Sequence, residues 1–336
     1  MSTRVIALAS VLFGAVWLGS AAVRAQTTPA RPTPAANPSF SVPRTSWGDP
    51  DLQGVWDYRT ITPLERRQEF GEREFYTDEE VAQLEARAAR RMDQPPDENT
   101  PANLVHAEYV TDPGRFVDES RRTSLIIDPP NGRMPALTAA AQQRQAQTAA
   151  ARTAAPAPAG GRADSYRDRA LLERCITRGL AGALLPGLYN NNIRITQSPG
   201  YVAIVHEMVH ETRLVALDGS AFSDIRGYMG ESRGRWEGDT LVVETHNFNG
   251  MASFRGSGEN LRLTERYTLV GPHSIDFRLT FEDDTQWTQP WTVAYFMRPA
   301  EGELYEYACH EGNYGLRNIL ENARDAEKVA PAPSGN

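Results

Sequence analysis

From Ile193 to Cys309 the chain breaks into short runs in which apolar and polar residues alternate, each run ended by a turn signal. The runs are IRITQ, YVAIVHEM, VHETRLVAL, RGRW, TLVVETHNF, LRLTERYTLV, HSIDFRLTF, WTVAYFM and ELYEYAC, rich in Val, Ile, Thr, Tyr and Phe. Pro199-Gly200, Asp218-Gly219, Glu237-Gly238-Asp239 and Gly271-Pro272 part them. About eight or nine strands roughly a dozen residues apart predict an antiparallel all-next-neighbour arrangement. LRLTERYTL shows the period of two that a strand with one buried face requires. The fold class that follows is β-rich α+β: an antiparallel meander or barrel, lipocalin-like or a curved sheet, with flanking helices.

Outside this block the period changes. Thr77-Asp78-Glu79-Glu80 is a capping box that predicts a helix running to about Met92. Ser124–Asp128 (SLIID) reads as a short strand stopped by Pro129-Pro130. A helix is expected around Tyr166–Thr177. Another is expected over Tyr314–Lys328, where Leu316, Ile319, Leu320 and Ala323 share an apolar face. Residues 138–164 form a low-complexity insertion whose first half, AAAQQRQAQTAAAR, suits a polar helix.

The N-terminus has another character. Arg4 precedes a nearly uncharged run, Val5–Val23, and Val23-Arg24-Ala25 places small residues where a signal peptidase reads. This predicts a secretory signal peptide over 1–25 rather than a membrane anchor, with cleavage after Ala25. No Cys follows for lipid attachment, and no twin Arg precedes the apolar run. A disordered linker is expected over 26–44, one folded unit over 45–330, and a disordered tail over 331–336. The expected location is periplasmic or secreted, with no membrane span after cleavage.

Charge narrows the partners. The chain holds 35 Lys and Arg against 43 Asp and Glu, net −8, and losing Arg4 and Arg24 on cleavage takes it to −10. An acidic surface argues against nucleic acid and against anionic lipid. Lys328 is the sole lysine, which excludes a buried lysine nucleophile from the body of the protein. Cys175 and Cys309 are the two cysteines, and in an exported chain an even count is first read as a disulfide.

Six segments resemble a family of uncharacterised secreted proteins of environmental bacteria. They are PDLQGVW (50–56), TPLER (62–66), RRTSLIIDPPNGRMPALT (121–138), YNNNIRITQSPGYVAIVHEMVHETRLVALDG (189–219), RGRWEGDTLVVETHNF (233–248) and YEYACHEGNYGLRNIL (305–320). The resemblance covers most of the chain outside the linkers. It implies export and a single folded unit, and it implies no mechanism.

Two constellations carry candidate chemistry. His206-Glu207-Met208-Val209-His210 spells H-E-x-x-H, which on a helix binds zinc with Glu231 as a possible third ligand. On a strand the two histidines would stand ~13 Å apart, too far for one ion, and the β-branched residues around them favour the strand. No cofactor is expected, zinc being the alternative. The second constellation joins Glu207, His210 and Arg213 to His310 and Glu311 as acid–base and anion-stabilising groups converging on one pocket. Tyr189, Asn190, Asn191, Asn192, Asn313 and Tyr314 are the candidate substrate contacts. Trp287, Trp291 and Tyr295 read as core before they read as a sugar-stacking surface, and Asp276, Asp283 and Asp284 lack the spacing of a Ca²⁺ loop.

The expectation is a cofactor-independent acid–base enzyme, a lyase, hydrolase or isomerase, acting on a small organic or carbohydrate substrate. The alternatives are a zinc hydrolase and a non-catalytic periplasmic binding or envelope protein. Substrate, reaction class and oligomeric state are open at this level.

Overall fold

The computed structural model describes residues 40–92, 112, 114–154 and 161–329. The expected signal peptide, residues 26–39 of the linker, the end of the insertion at 155–160 and the tail lie outside them. Phe40 and Val42 already pack against the core, so order begins ahead of the expected boundary at Thr45.

The strands are β1 (Gly54–Asp57), β2 (Ile126–Asp128), β3 (Asn192–Ser198), β4 (Tyr201–His206), β5 (Thr212–Ala216), β6 (Glu231–Glu237), β7 (Thr240–His246), β8 (Arg262–Gly271), β9 (Ser274–Glu282) and β10 (Trp291–Pro299). They follow the order β1-β3-β4-β5-β6-β7-β8-β9-β10, and β10 pairs back onto β1, which closes a nine-stranded barrel. β2 adds alongside the start of β10, through Thr292 and Val293. All neighbours are antiparallel except β5 and β6, which run parallel and meet at a single residue pair, Ala216 and Arg233.

Alternation explains why these segments are strands. Along β9, Ile275, Phe277, Leu279 and Phe281 are fully buried, and along β10 so are Trp291, Val293 and Met297. Successive side chains of a strand point to opposite faces, so these sets fill the lumen. The aromatic rings fit against each other. Phe281 stacks on Trp291 with centroids 4.0 Å apart, Phe277 lies 4.9 Å from Tyr295, and Tyr267 lies 4.8 Å from Phe277. The barrel is therefore packed through, with its ligand-sized spaces at the periphery. The β6–β7 turn uses Gly238 at φ +62°, a left-handed conformation that costs glycine little.

The mouth of the barrel is the end where β1, β4, β7 and β9 finish and β3, β5, β6, β8 and β10 begin. A one-turn helix, Leu180–Ala183, plugs it with Leu180, Ala181 and Ala183, followed by Leu184, all buried. Two phenols hold the plug: Tyr58 Oη donates to the Ala183 carbonyl at 2.8 Å and Tyr295 Oη to that of Leu184 at 2.5 Å.

Three longer helices flank the barrel. Asp78–Met92 opens on the expected capping box: Glu80 N–H donates to Thr77 Oγ1 at 3.2 Å and Thr77 N–H to Glu80 Oε2 at 2.8 Å. Ala139–Ala154 and Tyr314–Val329 also form. None among the described residues is long and apolar enough to cross a membrane.

Two expected elements are absent. The helix over 166–177 is reduced to a 3-10 turn, Tyr166–Asp168, and Cys175 sits at φ +55°, which an α-helix does not accept. ELYEYAC is irregular chain that passes β3, where Glu303 pairs with Arg194, and reaches His210 through the Tyr307 carbonyl, because β1 rather than this segment takes the closing position beside β10.

Candidate functional site at the barrel mouth

The H-E-x-x-H segment is neither a helix nor a continuous strand. β4 ends at His206, and Met208–His210 forms a 3-10 turn with Val209 at φ 60° and His210 at φ 45°. His206 points into the lumen and is fully buried, whereas His210 is exposed. The two imidazoles do not share the face that the helical zinc motif requires. Glu231 is engaged elsewhere: it accepts from Ser223 N–H at 2.8 Å, Ser223 Oγ at 2.9 Å and Asn247 Nδ2 at 3.0 Å, and it pairs with Arg233. Among the described residues no group of three or more His, Cys, Asp or Glu is placed to hold a metal.

Arg213 also points inward, where it belongs to a buried polar network. Its guanidinium makes a two-pronged ion pair with Glu265, at 2.7 Å on each side, and donates to Ser232 Oγ at 3.3 Å. Tyr267 Oη donates to Glu265 Oε2 at 2.6 Å, and Ser232 and Thr245 share a hydrogen bond of 2.9 Å. Burial first, then the Glu265 carboxylate, push the Tyr267 phenol well above its ordinary range, so it stays a donor. His206 has no hydrogen-bond partner on either ring nitrogen. Burial, reinforced by the Arg213 charge, lowers its pKa to about 3 and keeps the ring neutral.

The remaining candidates separate. Glu207 is buried at the mouth, and its Oε2 accepts from Asn192 Nδ2 at 2.7 Å. The exposed His210 places Nδ1 3.0 Å from the Tyr307 carbonyl, which accepts when that nitrogen carries the proton. Asn191 is structural: its amide accepts from Gly187 N–H at 2.7 Å and donates to the Gly187 and Asp112 carbonyls. Tyr189 and Asn190 are half-buried beside it. Asn313 caps the last helix by accepting from Leu316 N–H at 3.3 Å, and Tyr314, His310 and Glu311 are exposed. The early and late clusters thus meet through His210 and the Tyr307 backbone. The side chains of His310 and Glu311 stand in solvent, and Arg213 lies inside the wall. Trp287, Trp291 and Tyr295 are core residues. Asp283 is bound by Ser257 and Thr285 at 2.6 Å each, and Asp276 pairs with Arg278.

Cys175 and Cys309 lie at disulfide distance, with Cα atoms 5.6 Å apart, and so tie the chain before the plug to the segment that follows the last strand. Peptide mapping of the protein purified without reductant is expected to recover the two as one linked species. Two alkylatable thiols would refute the bridge.

A pocket of about 360 Å³ lies beside the plug, and no sequence motif marks it. Three distant segments wall it: Thr60–Leu64 with Leu125, Arg178–Pro186, and Phe254–Arg255. Leu64, Leu125, Leu185 and Phe254 supply the apolar part of its surface, and Arg178 and Arg255 bring guanidinium groups. Gly187 leaves room for Arg178, since a Cβ there would come within 2.5 Å of Nη2. Arg255 is held at φ 50°, and its carbonyl accepts from Gln286 Nε2 at 2.8 Å. A second, more polar cleft of about 500 Å³ lies along the rim near His246 and Asp284. No protein-family profile matches the chain, and no curated protein matches it.

Proposed function

We propose that this is an exported β-barrel protein that binds a small organic molecule in the pocket beside the plug. The observation that carries the reading is the contrast between a lumen filled with aromatic rings and a peripheral pocket of about 360 Å³ whose lining combines leucine, proline and phenylalanine side chains with two threonines and two arginines. That is the usual make-up of a small-molecule site. The signal-like N-terminus and the cysteine pair at disulfide distance support export. Acid–base catalysis is the second reading, favoured by Glu207 and His210 standing at the same end of the barrel.

A pocket-filling substitution tests the site. Gly182 lines the pocket from the plug, and a Cβ there meets only the Arg178 side chain, at 3.5 Å. Gly182→Leu is expected to abolish the ligand-induced rise in Tm across a panel of small metabolites while leaving the circular dichroism of the barrel unchanged. Ligand shifts that survive in this variant would place binding elsewhere. For the second reading, His210→Ala should remove turnover of any bound compound without weakening its binding.

A further inference from the structure

We infer that the pocket selects organic carboxylates, with Arg178 and Arg255 holding the anion and the apolar walls holding the body of the ligand. The inference rests on the binding reading above and adds the chemical class. Among the described residues neither guanidinium has a carboxylate partner or a side-chain hydrogen bond. This is so although acidic residues outnumber basic ones, 43 to 35, and many other arginines of the fold are ion-paired, including Arg59, Arg73, Arg122, Arg213 and Arg235. Two guanidinium groups on one pocket, without a carboxylate partner among the described residues, favour an anion there, and a bound ligand that displaces water from between them strengthens the attraction.

The backbone supports the placement. Arg255 occupies a left-handed conformation rarely adopted by residues with a Cβ, and its position is fixed from both sides. Phe254 stacks on Phe281 with centroids 5.3 Å apart, and the Gln286 amide binds the Arg255 carbonyl. The Arg255 guanidinium stands 5.8 Å from the Phe254 ring centroid, which presents the charge over an apolar wall. Arg178 is set in the plug by the space at Gly187. Guanidinium groups match the planar carboxylate with paired hydrogen bonds. A phosphate would need more donors than this wall offers, since Pro63, Leu64, Leu125, Leu185 and Pro186 contribute no side-chain N–H or O–H. Thr60 Oγ1 already donates to the Phe116 carbonyl at 3.1 Å, which leaves Thr62 Oγ1, an acceptor from Asp118 N–H at 2.9 Å, as the one side-chain hydroxyl of the lining with a proton to give. The ligand class is therefore a small carboxylic acid with an aromatic or branched-alkyl body.

Isothermal titration calorimetry on the mature, oxidised protein tests this with matched pairs: phenylacetate against phenylacetamide, cinnamate against cinnamamide, and inorganic phosphate alone. The acids are expected to bind at least tenfold more tightly than their amides, and phosphate not at all. Arg178→Gln and Arg255→Gln should each weaken acid binding by about tenfold to a hundredfold, the loss of a charge-assisted hydrogen bond, and leave the amides unchanged. Arg255 is exposed, so its variant decides the matter even if Arg178→Gln disturbs the plug. Amides that bind as well as acids, with no effect of either arginine, overturn the carboxylate inference and leave the pocket reading standing. Acid binding that Gly182→Leu does not touch, or no binding by any compound, overturns both.

Discussion

Glu265→Gln is expected to destabilise the barrel by about 3–5 kcal/mol, because it leaves the Arg213 charge buried without its counter-charge. The side chains of the pair are 4 % and 0 % exposed, so neither group can turn to water. The location magnifies the effect. β5 and β6 share a single bridge, so the backbone ladder is shorter there than at any other wall of the barrel, the two-pair β1–β10 closure included. Arg213 leaves β5, touches Ser232 on β6 and grips Glu265 on β8, which spans that seam from inside. Urea unfolding followed by tryptophan fluorescence measures the loss, and Arg213→Met should give a similar one. The double variant Arg213→Met/Glu265→Leu should recover most of it, since replacing a buried pair by apolar groups of similar size is often neutral. Single variants as stable as the wild type would show that the ion pair does not brace the seam.

This brace also shows where reading the sequence succeeds and where it stops. β3 to β10 are legible because their buried and exposed residues alternate and turn residues punctuate them. The same alternation places Arg213 and Glu265 on the inward positions, but a period of two cannot say that one inward residue meets another 52 positions away. β1 escaped notice because four residues, Gly54–Asp57, carry too little pattern, yet they close the barrel. The helix expected over 166–177 has suitable local composition, and tertiary ties override it. Cys175 turns out of helical geometry to reach Cys309, and Thr177 bonds Glu211. His206 through His210 was caught between strand and helix, and it divides at the strand's end. The pocket was invisible for a different reason. Residues 60–64, 178–186 and 254–255 have no common motif, and only the closed barrel brings them together. What does show in the chain is glycine around Arg178, at 179, 182 and 187, in a segment otherwise apolar.

The second large effect is a loss of stability in acid that originates at His206. An unfolded histidine takes up its proton near pH 6.5. In the folded barrel the ring stays neutral down to about pH 3, through burial first and the Arg213 charge second. The Ala183 backbone, outside hydrogen-bond geometry, acts the other way and is the smallest of the three influences. Between those two values the unfolded chain binds one more proton than the folded one, so stability falls as the pH falls. At about 1.4 kcal/mol per pH unit the loss reaches about 3 kcal/mol at pH 4 and about 4 kcal/mol near pH 3. Above pH 6.5 both states carry the neutral ring and the contribution is flat. Buried Asp118 and half-buried Glu211, whose carboxyls desolvation pushes upward, act in the opposite sense: they bind protons earlier in the folded state and gain stability as the pH drops. A difference measurement therefore isolates the histidine. His206→Leu nearly conserves volume and removes two unpartnered nitrogens, so it is expected to sit within about 1.5 kcal/mol of the wild type at pH 8. At pH 4 the same variant should be the more stable by about 3 kcal/mol relative to that starting difference. Parallel stability curves for the two proteins from pH 8 to pH 4 would mean that the ring takes up its proton as readily inside the barrel as outside it, and that the interior around Arg213 is wet.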